Sequence, residues 1–309
     1  MSETRRPPGS AGAGVLCIGR LYCDLVFTGV PRMPTLGTEV FAEALGLHAG
    51  GGAYISAATF AALGRRAALA ATLPAAPFDA VVTREARGAG VDLALCRPGV
   101  PGAEPQITVA IAHGGDRAFL TRATGPALPP LDAAAMAASG AAHLHIGELR
   151  TLKESPGVLD AARAAGMTVS LDCSWDDALS ARDAALIAAV DVFLPNEEEA
   201  ARLAELGVAA GAAPLTVVKR GAAGADALTG GRRLTVPGLA VPVADTTGAG
   251  DAFNGGFLDS WLAGRALDDC LRAGNACGAA SVQAAGGTGG LGAIRAAAGS
   301  AAGRSRIAN

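Results

Sequence analysis

The 309-residue sequence predicts an α/β fold with a doubly wound, mostly parallel central sheet flanked by helices. Short apolar runs that end in glycine, such as 15–18 and 141–147, are typical of buried parallel strands. Longer apolar-periodic stretches follow them, as in repeated strand-then-helix passages. Segments 22–48 and 105–122 instead alternate apolar and turn residues, which predicts short exposed strands. Within the second segment, Gly114 and Gly115 predict a hairpin.

Half of the residues are hydrophobic, so the chain can bury the core of one large domain, which we predict at 14–295. Residues 1–13 are predicted to be a disordered tail and residues 296–309 a flexible one. With a net charge of −3, the chain lacks the excess of basic residues that nucleic-acid binders need. We therefore expect no nucleic-acid partner.

The six cysteines are scattered, without CxxC or another metal-type spacing. Most have apolar neighbours, which is typical of small core residues in a reducing compartment. No run reaches the roughly 18 apolar residues that a membrane span requires. We expect a cytoplasmic protein without a membrane partner.

A glycine-rich turn leading into a helix is predicted within DTTGAGDAFNGGF, residues 245–257. The unpaired amides and the dipole of a helix N-terminus favour an anion, and Gly248 and Gly250 let the backbone approach it closely. Asp251 stands at the mouth of this turn, where a carboxylate suits a group that takes a proton from an attacking hydroxyl. The turn therefore predicts a phosphoryl-transfer centre. On the residues alone, the alternative is that Asp245 or Asp251 simply caps the helix.

The motif closely resembles the signature DTTGAGDxFxxG of the ribokinase-like (PfkB-type) carbohydrate kinase family, and elements of that family's pattern extend over nearly the whole chain. The resemblance implies that Asp251 is the catalytic base and that the amides of Gly248, Ala249 and Gly250 form an anion hole. It implies phosphorylation of a sugar hydroxyl with ATP and Mg²⁺, and a β-sheet lid formed by the two exposed segments. In many members an aspartate at the position of Asp245 belongs to a monovalent-cation loop, which makes K⁺ a candidate ion.

The sugar side of the site is predicted from three segments. Asp24 follows the first predicted strand, at the edge where open α/β sheets bind ligands, and matches the sugar-binding aspartate of the family's GxxxxD. Gly51 and Gly52 match the substrate motif GGxxxN, but Ser56 takes the place of the asparagine. A hydroxyl has a shorter reach and fewer donors than an amide, so the substrate need not be the family's commonest pentose or hexose. Glu148 is a further substrate-binding candidate.

The magnesium and phosphate side is predicted from DVFLPNEEEAARL, where Asn196 caps a helix that begins with three glutamates. Acids in a first turn can simply offset the helix dipole. The resemblance implies instead that Asn196 and Glu199, as NxxE, hold Mg²⁺ largely through water, which suits an ion that takes few protein oxygens. Gly221 and Gly224 match a GxxG segment along which the nucleotide lies.

Two further residues are predicted on the nucleotide side. Lys219, or its neighbour Arg220, is a candidate for neutralising phosphate charge. Asn275 lies on the predicted helix that lines the adenine pocket in the family. His143 and His145 alternate on one strand, but two histidines without a third ligand favour a structural role over a metal site.

Three other functions compete with a sugar kinase. Ser56 and the lid permit a nucleoside kinase of the same superfamily. A dinucleotide-binding oxidoreductase is disfavoured, because Phe253 stands where GxGxxG needs its third glycine. A nucleotide-binding protein without turnover is disfavoured by the presence of Asp251, Asn196 and Glu199. Pairing of two lids would give a homodimer.

Overall fold

The structure of the protein, a computed structural model, describes residues 12–113 and 116–307, except for the side chains of 116, 117 and 301–307. Eight strands form the central sheet in the order β12-β11-β10-β9-β8-β7-β1-β4. Their bounds are β1 Gly14–Ile18, β4 Ala67–Ala70, β7 Ala141–Ile146, β8 Thr168–Asp172, β9 Val192–Leu194, β10 Leu215–Lys219, β11 Ala225–Thr229 and β12 Arg232–Val236. All neighbours from β4 to β10 pair in parallel, and β11 and β12 join by antiparallel pairing. The predicted mostly parallel sheet is confirmed.

Helices cover both faces of the sheet, as predicted. Their bounds are α1 Gly52–Ala62, α2 Phe78–Gly88, α3 Ala133–Ala138, α4 Leu149–Glu154, α5 Val158–Ala164, α6 Ala184–Ala188, α7 Glu197–Glu205, α8 Ala249–Leu262, α9 Leu267–Ser281 and α10 Leu291–Ile307. Within residues 12–113 and 116–307, none is both long and apolar enough to span a bilayer.

The strand β1 shows why two separate cores form. Successive side chains of a strand point to opposite faces, so Val15 and Cys17 belong to one apolar cluster and Leu16 and Ile18 to another. All four are essentially fully buried. The first cluster packs α1 and α8 on the sheet and the second packs α4 and α5. A strand that is apolar at every position is therefore required at the centre of the sheet.

A second, four-stranded sheet forms the lid. Its strands are β2 Tyr22–Thr28, β3 Ala44–Gly50, β5 Ile107–His113 and β6 Asp116–Arg122, in the order β3-β2-β5-β6. β2 pairs in parallel with β5, and the outer pairs are antiparallel. The antiparallel pairing of β5 with β6 is the predicted hairpin, but its turn at Gly114 and Gly115 lies outside the described residues.

The segment after α2 makes only isolated bridges to the sheet, at Asp92 and Arg97, because the Asp92 carboxylate accepts a hydrogen bond from the amide of Ala94 and turns the chain. The helix α10 extends to Ile307, into the segment 296–309 that was predicted as a flexible tail. Its alanine-rich sequence favours helix, and Ile294 is buried against α1, α8 and α9.

Candidate active site

A cavity of about 800 Å³ lies at the carboxyl ends of the parallel strands. Residues that follow β7, β8 and β9 line it, together with the N-terminus of α8 and one face of α9. Ligands of open α/β sheets bind at this edge. The predicted site residues that line it are Gly52, Glu148, Asn196, Glu199, Lys219, Gly221, Gly224, Ala249, Gly250, Asp251 and Asn275. The predicted residues outside its lining are Asp24, Gly51, Ser56, Asp245 and Gly248.

The glycine turn is held at the start of α8 by close packing. Gly248 is the N-cap residue, with φ 71° in the left-handed region. A Cβ on Gly248 would lie 2.8 Å from the Cα of Gly287, so this turn packs directly on the loop that follows α9. The first amides of α8, including those of Ala249 and Gly250, therefore lie at the cavity wall, where a helix N-terminus favours an anion.

The carboxylate of Asp251 lies in the first turn of α8 and packs against the N-terminus of α1. A Cβ on Gly52 would lie 2.6 Å from Oδ1 of Asp251, so only glycine leaves room for this carboxylate. Burial raises the pKa of Asp251 to about 7, and the neighbouring Asp172 carboxylate adds to the shift while Lys219 opposes it. At neutral pH this aspartate is a stronger base than an exposed one.

Asn196 and Glu199 form a complete capping box at the start of α7. The Asn196 side chain accepts a hydrogen bond from the Glu199 amide, and Glu199 Oε2 accepts one from the Asn196 amide, both at 2.8 Å. Burial raises the pKa of Glu199 to about 7, and Asp172 adds to it. No cluster of three or more His, Cys, Asp or Glu side chains suited to a metal occurs in the described part of the chain. One carboxylate and one amide suit a Mg²⁺ ion that keeps most of its waters.

Glu148 and Asn275 each have partners that fix them in the cavity wall. Glu148 Oε1 accepts hydrogen bonds from the Arg20 amide at 3.0 Å and from the Thr151 hydroxyl at 2.6 Å. Asn275 Nδ2 donates to the main-chain oxygen of Pro237 at 3.1 Å. Asn275 thereby ties α9 to the segment that forms the outer wall of the cavity, in addition to lining the cavity itself.

That outer wall was missed by the sequence analysis. Residues 239–243 resemble a strand by composition, but they form an irregular segment that lines the cavity. Leu239 and Val243 are 53% and 61% exposed there. A preceding Pro237-Gly238 pair, which breaks regular structure, is the signal that identifies such a segment. An exposed apolar wall beside a phosphate-type site is suited to a flat aromatic base.

Asp24 lies in the lid, within the predicted segment 22–48, and not at the carboxyl edge of the central sheet. It is in the middle of β2 and pairs with His48 of β3 and Thr108 of β5. Its carboxylate packs so closely on Gly50 that any side chain there would collide with it. Burial raises the pKa of Asp24 to about 7; the Thr108 hydroxyl opposes the shift and Glu85 adds to it. The lid, not the central sheet, therefore carries this aspartate.

Ser56 does not reach the cavity. It is fully buried within α1, and its hydroxyl donates to the main-chain oxygen of Asp251 at 3.1 Å. The helical path from Gly52 turns position 56 toward α8, where a small hydroxyl fits between the two helices. The prediction that Ser56 binds substrate is therefore not supported, and Ser56 instead fixes the backbone of Asp251.

Hydrogen bonds show the surroundings of Asp245 and of the two histidines His143 and His145. Asp245 accepts a hydrogen bond from the Thr247 amide at 2.8 Å and another from the Gly286 amide at 2.7 Å, so it joins the glycine turn to the loop after α9. His143 and His145 are fully buried and bond to Ser170, and neither belongs to a group of metal ligands among the described residues. The structural role predicted for the histidines agrees with these contacts.

The pfkB family model, described as pfkB family carbohydrate kinase, matches residues 13–292. The chain belongs to the pfkB family of carbohydrate kinases. This pfkB kinase is 30% identical over 271 residues to an ATP-dependent ribose-1-phosphate kinase of Halopiger xanaduensis, covering 86% of this chain and 90% of that protein. It is 32% identical over 248 residues to a 2-dehydro-3-deoxygalactonokinase of Haloferax volcanii, covering 70% and 76%.

The fold of the pfkB kinase is also that of solved structures. A putative ribokinase II from E. coli, crystallised in complex with ATP and Mg²⁺, superposes with a TM-score of 0.75 at 22% identity. The match covers 92% of this chain and 98% of that one. Family and fold together establish a carbohydrate kinase with a mostly parallel sheet and a separate small sheet.

The contact between Gly248 and Gly287 gives a test of the glycine turn. Gly248→Ala should lower kcat/KM by at least about tenfold, because a Cβ would displace the turn whose amides face the cavity. Gly264→Ala is the matched control: Gly264 also has a positive φ, of 75°, but a Cβ there meets nothing within 4 Å. Both variants should lose about 1 kcal/mol of stability from the left-handed backbone, and only Gly248→Ala should lose activity as well. Equal activities in the two variants would contradict this role of the turn.

Proposed function

We propose that this carbohydrate kinase transfers the γ-phosphoryl group of ATP to a hydroxyl of a small sugar or sugar derivative, with Asp251 as general base. The observation that carries the proposal is the position of the Asp251 carboxylate, at the N-terminus of α8 and against the glycine at the start of α1. A proton acceptor beside an anion-favouring turn has the arrangement that phosphoryl transfer requires.

The acceptor site is supported by the glycine run 50–52. Asp24 packs on Gly50 from the lid side, and Asp251 packs on Gly52 from the side of α8. A sugar lying along this run can give hydroxyls to Asp24 while it presents another hydroxyl to Asp251. Glu148, next to Gly147 in the same wall, is positioned to accept from a further hydroxyl. Fixed hydrogen-bond acceptors orient the sugar for attack.

The donor site is supported by the charges of the cavity. The α8 amides and the Lys219 ammonium favour the transferred phosphoryl group, whose negative charge spreads over its oxygens. The GxxG segment at 221–224 and Asn275 line the cavity on the side of the apolar wall. Asn196 and Glu199 would hold Mg²⁺ through water, and the ion when bound supplies neutralising charge to the phosphates. A monovalent cation such as K⁺ is proposed at the loop that Asp245 joins to Gly286.

The nucleoside kinase alternative depended in part on Ser56, and that support is lost because Ser56 faces α8. The two relatives described above act, by their names, on a sugar phosphate and on a derivative of a sugar acid. We therefore propose a sugar or sugar derivative as the acceptor class. A cytoplasmic location is proposed because six cysteines are free thiols, as in a reducing compartment.

The proposed reaction predicts ADP release in a coupled assay with Mg·ATP and at least one member of a panel of pentoses, hexoses, sugar phosphates, sugar acids and nucleosides. Asp251→Asn should lower kcat by about 10² to 10⁴-fold with little change in KM, because it removes the base and preserves the shape. Running the panel in K⁺ salts and in Na⁺ salts tests whether the reaction depends on K⁺. Turnover of nucleosides alone would overturn the proposed acceptor class, and full turnover by Asp251→Asn would overturn the base.

The raised pKa of Asp251 predicts the pH dependence of the reaction. The base acts when it is deprotonated, so with its pKa at about 7, kcat/KM should rise about tenfold per pH unit below pH 7 and level off above it. The acceptor chosen should have no group that titrates between pH 5.5 and 8.5. Thermal unfolding recorded at each pH checks that the protein stays folded. A flat profile across this range would contradict proton transfer to Asp251.

A homodimer is proposed through the lid. Four apolar side chains form a row across its strands, Leu47, Leu25, Val109 and Leu120, in direct register from β3 to β6. The two end members, Leu47 and Leu120, are 39% and 75% exposed. Leu25 packs against the apolar core, so the exposed ends of the row are the parts that a partner can cover. Exposed apolar side chains are typical of a protein–protein contact, and a second copy offers the same ones.

Light scattering after gel filtration tests the dimer. The wild-type protein should elute at twice the chain mass of 30.3 kDa, and Leu120→Glu should shift it to the monomer because a carboxylate would be buried in the contact. Leu36→Glu is the control, since Leu36 is fully exposed outside the row. A monomeric wild-type protein at micromolar concentration would contradict the proposal.

A further inference from the structure

Asp172 is a buried carboxylate of the cavity to which the proposed reaction gives no role. It is the last residue of β8 and is only 4% exposed. Its Oδ2 accepts hydrogen bonds from Lys219 Nζ at 2.8 Å and from Asn254 Nδ2, and its Oδ1 accepts one from the Ser174 amide at 3.3 Å. A carboxylate this deeply buried costs free energy unless its charge is compensated, and here Lys219 compensates it.

Asn254 completes the arrangement from α8. It lies three residues after Asp251, is fully buried, and bridges the ion pair: Nδ2 donates to Asp172, while Oδ1 accepts from Lys219 Nζ at 3.3 Å. The amide can take only this orientation, because the flipped one would face its NH₂ toward the ammonium and its oxygen toward the carboxylate. Asp172 at the end of β8 and Asn254 on α8 therefore hold the Lys219 ammonium from two sides.

The ammonium held in this way lies under the glycine turn. A Cβ on Gly250 would be 3.4 Å from Lys219 Nζ, so the charge lies next to the backbone that faces the cavity. Lys219 has three N–H bonds, and in the described contacts two of them are donated to Asp172 and Asn254. The third is available to a ligand bound on the turn.

The acidic partners of Lys219 also favour its charged form. Burial by itself lowers the pKa of Lys219, but Asp172 and then Glu199 more than offset burial, so its pKa lies above the ordinary value. Without the Asp172 charge, the ammonium would be drawn toward the remaining acids, including Asp251. Pairing with Asp251 would weaken the base and remove the positive charge from the turn.

We propose that Asp172 is a positioning residue for phosphoryl transfer, which together with Asn254 fixes the Lys219 ammonium against the glycine turn where the transferred group is bound. This inference rests on the proposed function of the site. It assigns to Asp172 an effect on the chemical step, through Lys219, and no contact with the metal or the acceptor.

The test compares Asp172→Asn with a matched buried carboxylate. Asp191 is 6% exposed and pairs with Arg163 Nη1 at 2.6 Å, but it lies at the opposite, amino edge of the sheet, just before β9. Asp172→Asn should lower the single-turnover rate at saturating substrates by about 10 to 100-fold, with less than about a threefold change in either KM. Asp191→Asn should lose stability and keep the wild-type rate.

Two more measurements separate positioning from other roles. The double variant Asp172→Asn/Lys219→Met should be no slower than Lys219→Met alone, because Asp172 acts through Lys219. The Mg²⁺ concentration for half-maximal rate should not rise in Asp172→Asn, because loss of the Asp172 charge lowers the pKa of Glu199 and so favours its ionised form, and it should rise in Glu199→Gln. If Asp172→Asn fails to fold, Asn254→Ser removes the bridge without changing charge and should slow turnover about 3 to 10-fold.

The inference is overturned if the rates of Asp172→Asn or Asn254→Ser equal that of the wild type, if the losses of the two single variants multiply in the double variant, or if Asp172→Asn raises the Mg²⁺ requirement. The last result would mean that Asp172 acts on the metal. A wild-type protein that releases no ADP with any acceptor would instead reject the proposed function itself, and this inference with it.

Discussion

The arrangement of the active-site cavity depends on one ammonium group among several acids. Among the described residues that line the cavity, Lys219 is the one cation, whereas Glu148, Asp172, Glu199 and Asp251 are acids. Such an excess of buried negative charge persists only if protons or cations offset it. Protons do so in part, since the pKa values of Glu199 and Asp251 are raised to about 7. A triphosphate would add further negative charge, so a divalent cation is needed for it to bind here.

Burial of these carboxylates makes folding stability and catalysis favour opposite protonation states. A carboxylate whose folded-state pKa is raised binds a proton more tightly in the folded than in the unfolded chain. The stability that such groups contribute is therefore present below the unfolded-state pKa and is lost as the pH rises to the folded-state value of about 7. Asp24, Glu199 and Asp251 all follow this rule. The site is least favourable for folding at the pH where its base is ready to act.

The fold and the motifs could be predicted from sequence because local patterns determine them. The apolar run of β1, the glycines of the turn at 248–250 and the capping box at Asn196 depend on neighbouring residues, and all three occur where expected. The contact of Ser56 with α8 could not be predicted, because it depends on which helix packs against α1. Asp172 and Asn254 are 82 residues apart, and only the packing of α8 on β8 brings them together. Tertiary contacts of this kind leave no periodic signal in a sequence.

The glycine run between the lid and α8 has a consequence for the choice of acceptor. Asp24 and Asp251 pack on the first and last members of the run, so the separation of the two carboxylates is set by backbone, which does not adapt as a side chain would. Under the proposed roles of both aspartates, this stretch of backbone selects acceptors by the distance between two of their oxygens. An alcohol whose anchoring and reacting oxygens are spaced too closely or too widely cannot engage both ends at once, whatever its other functional groups.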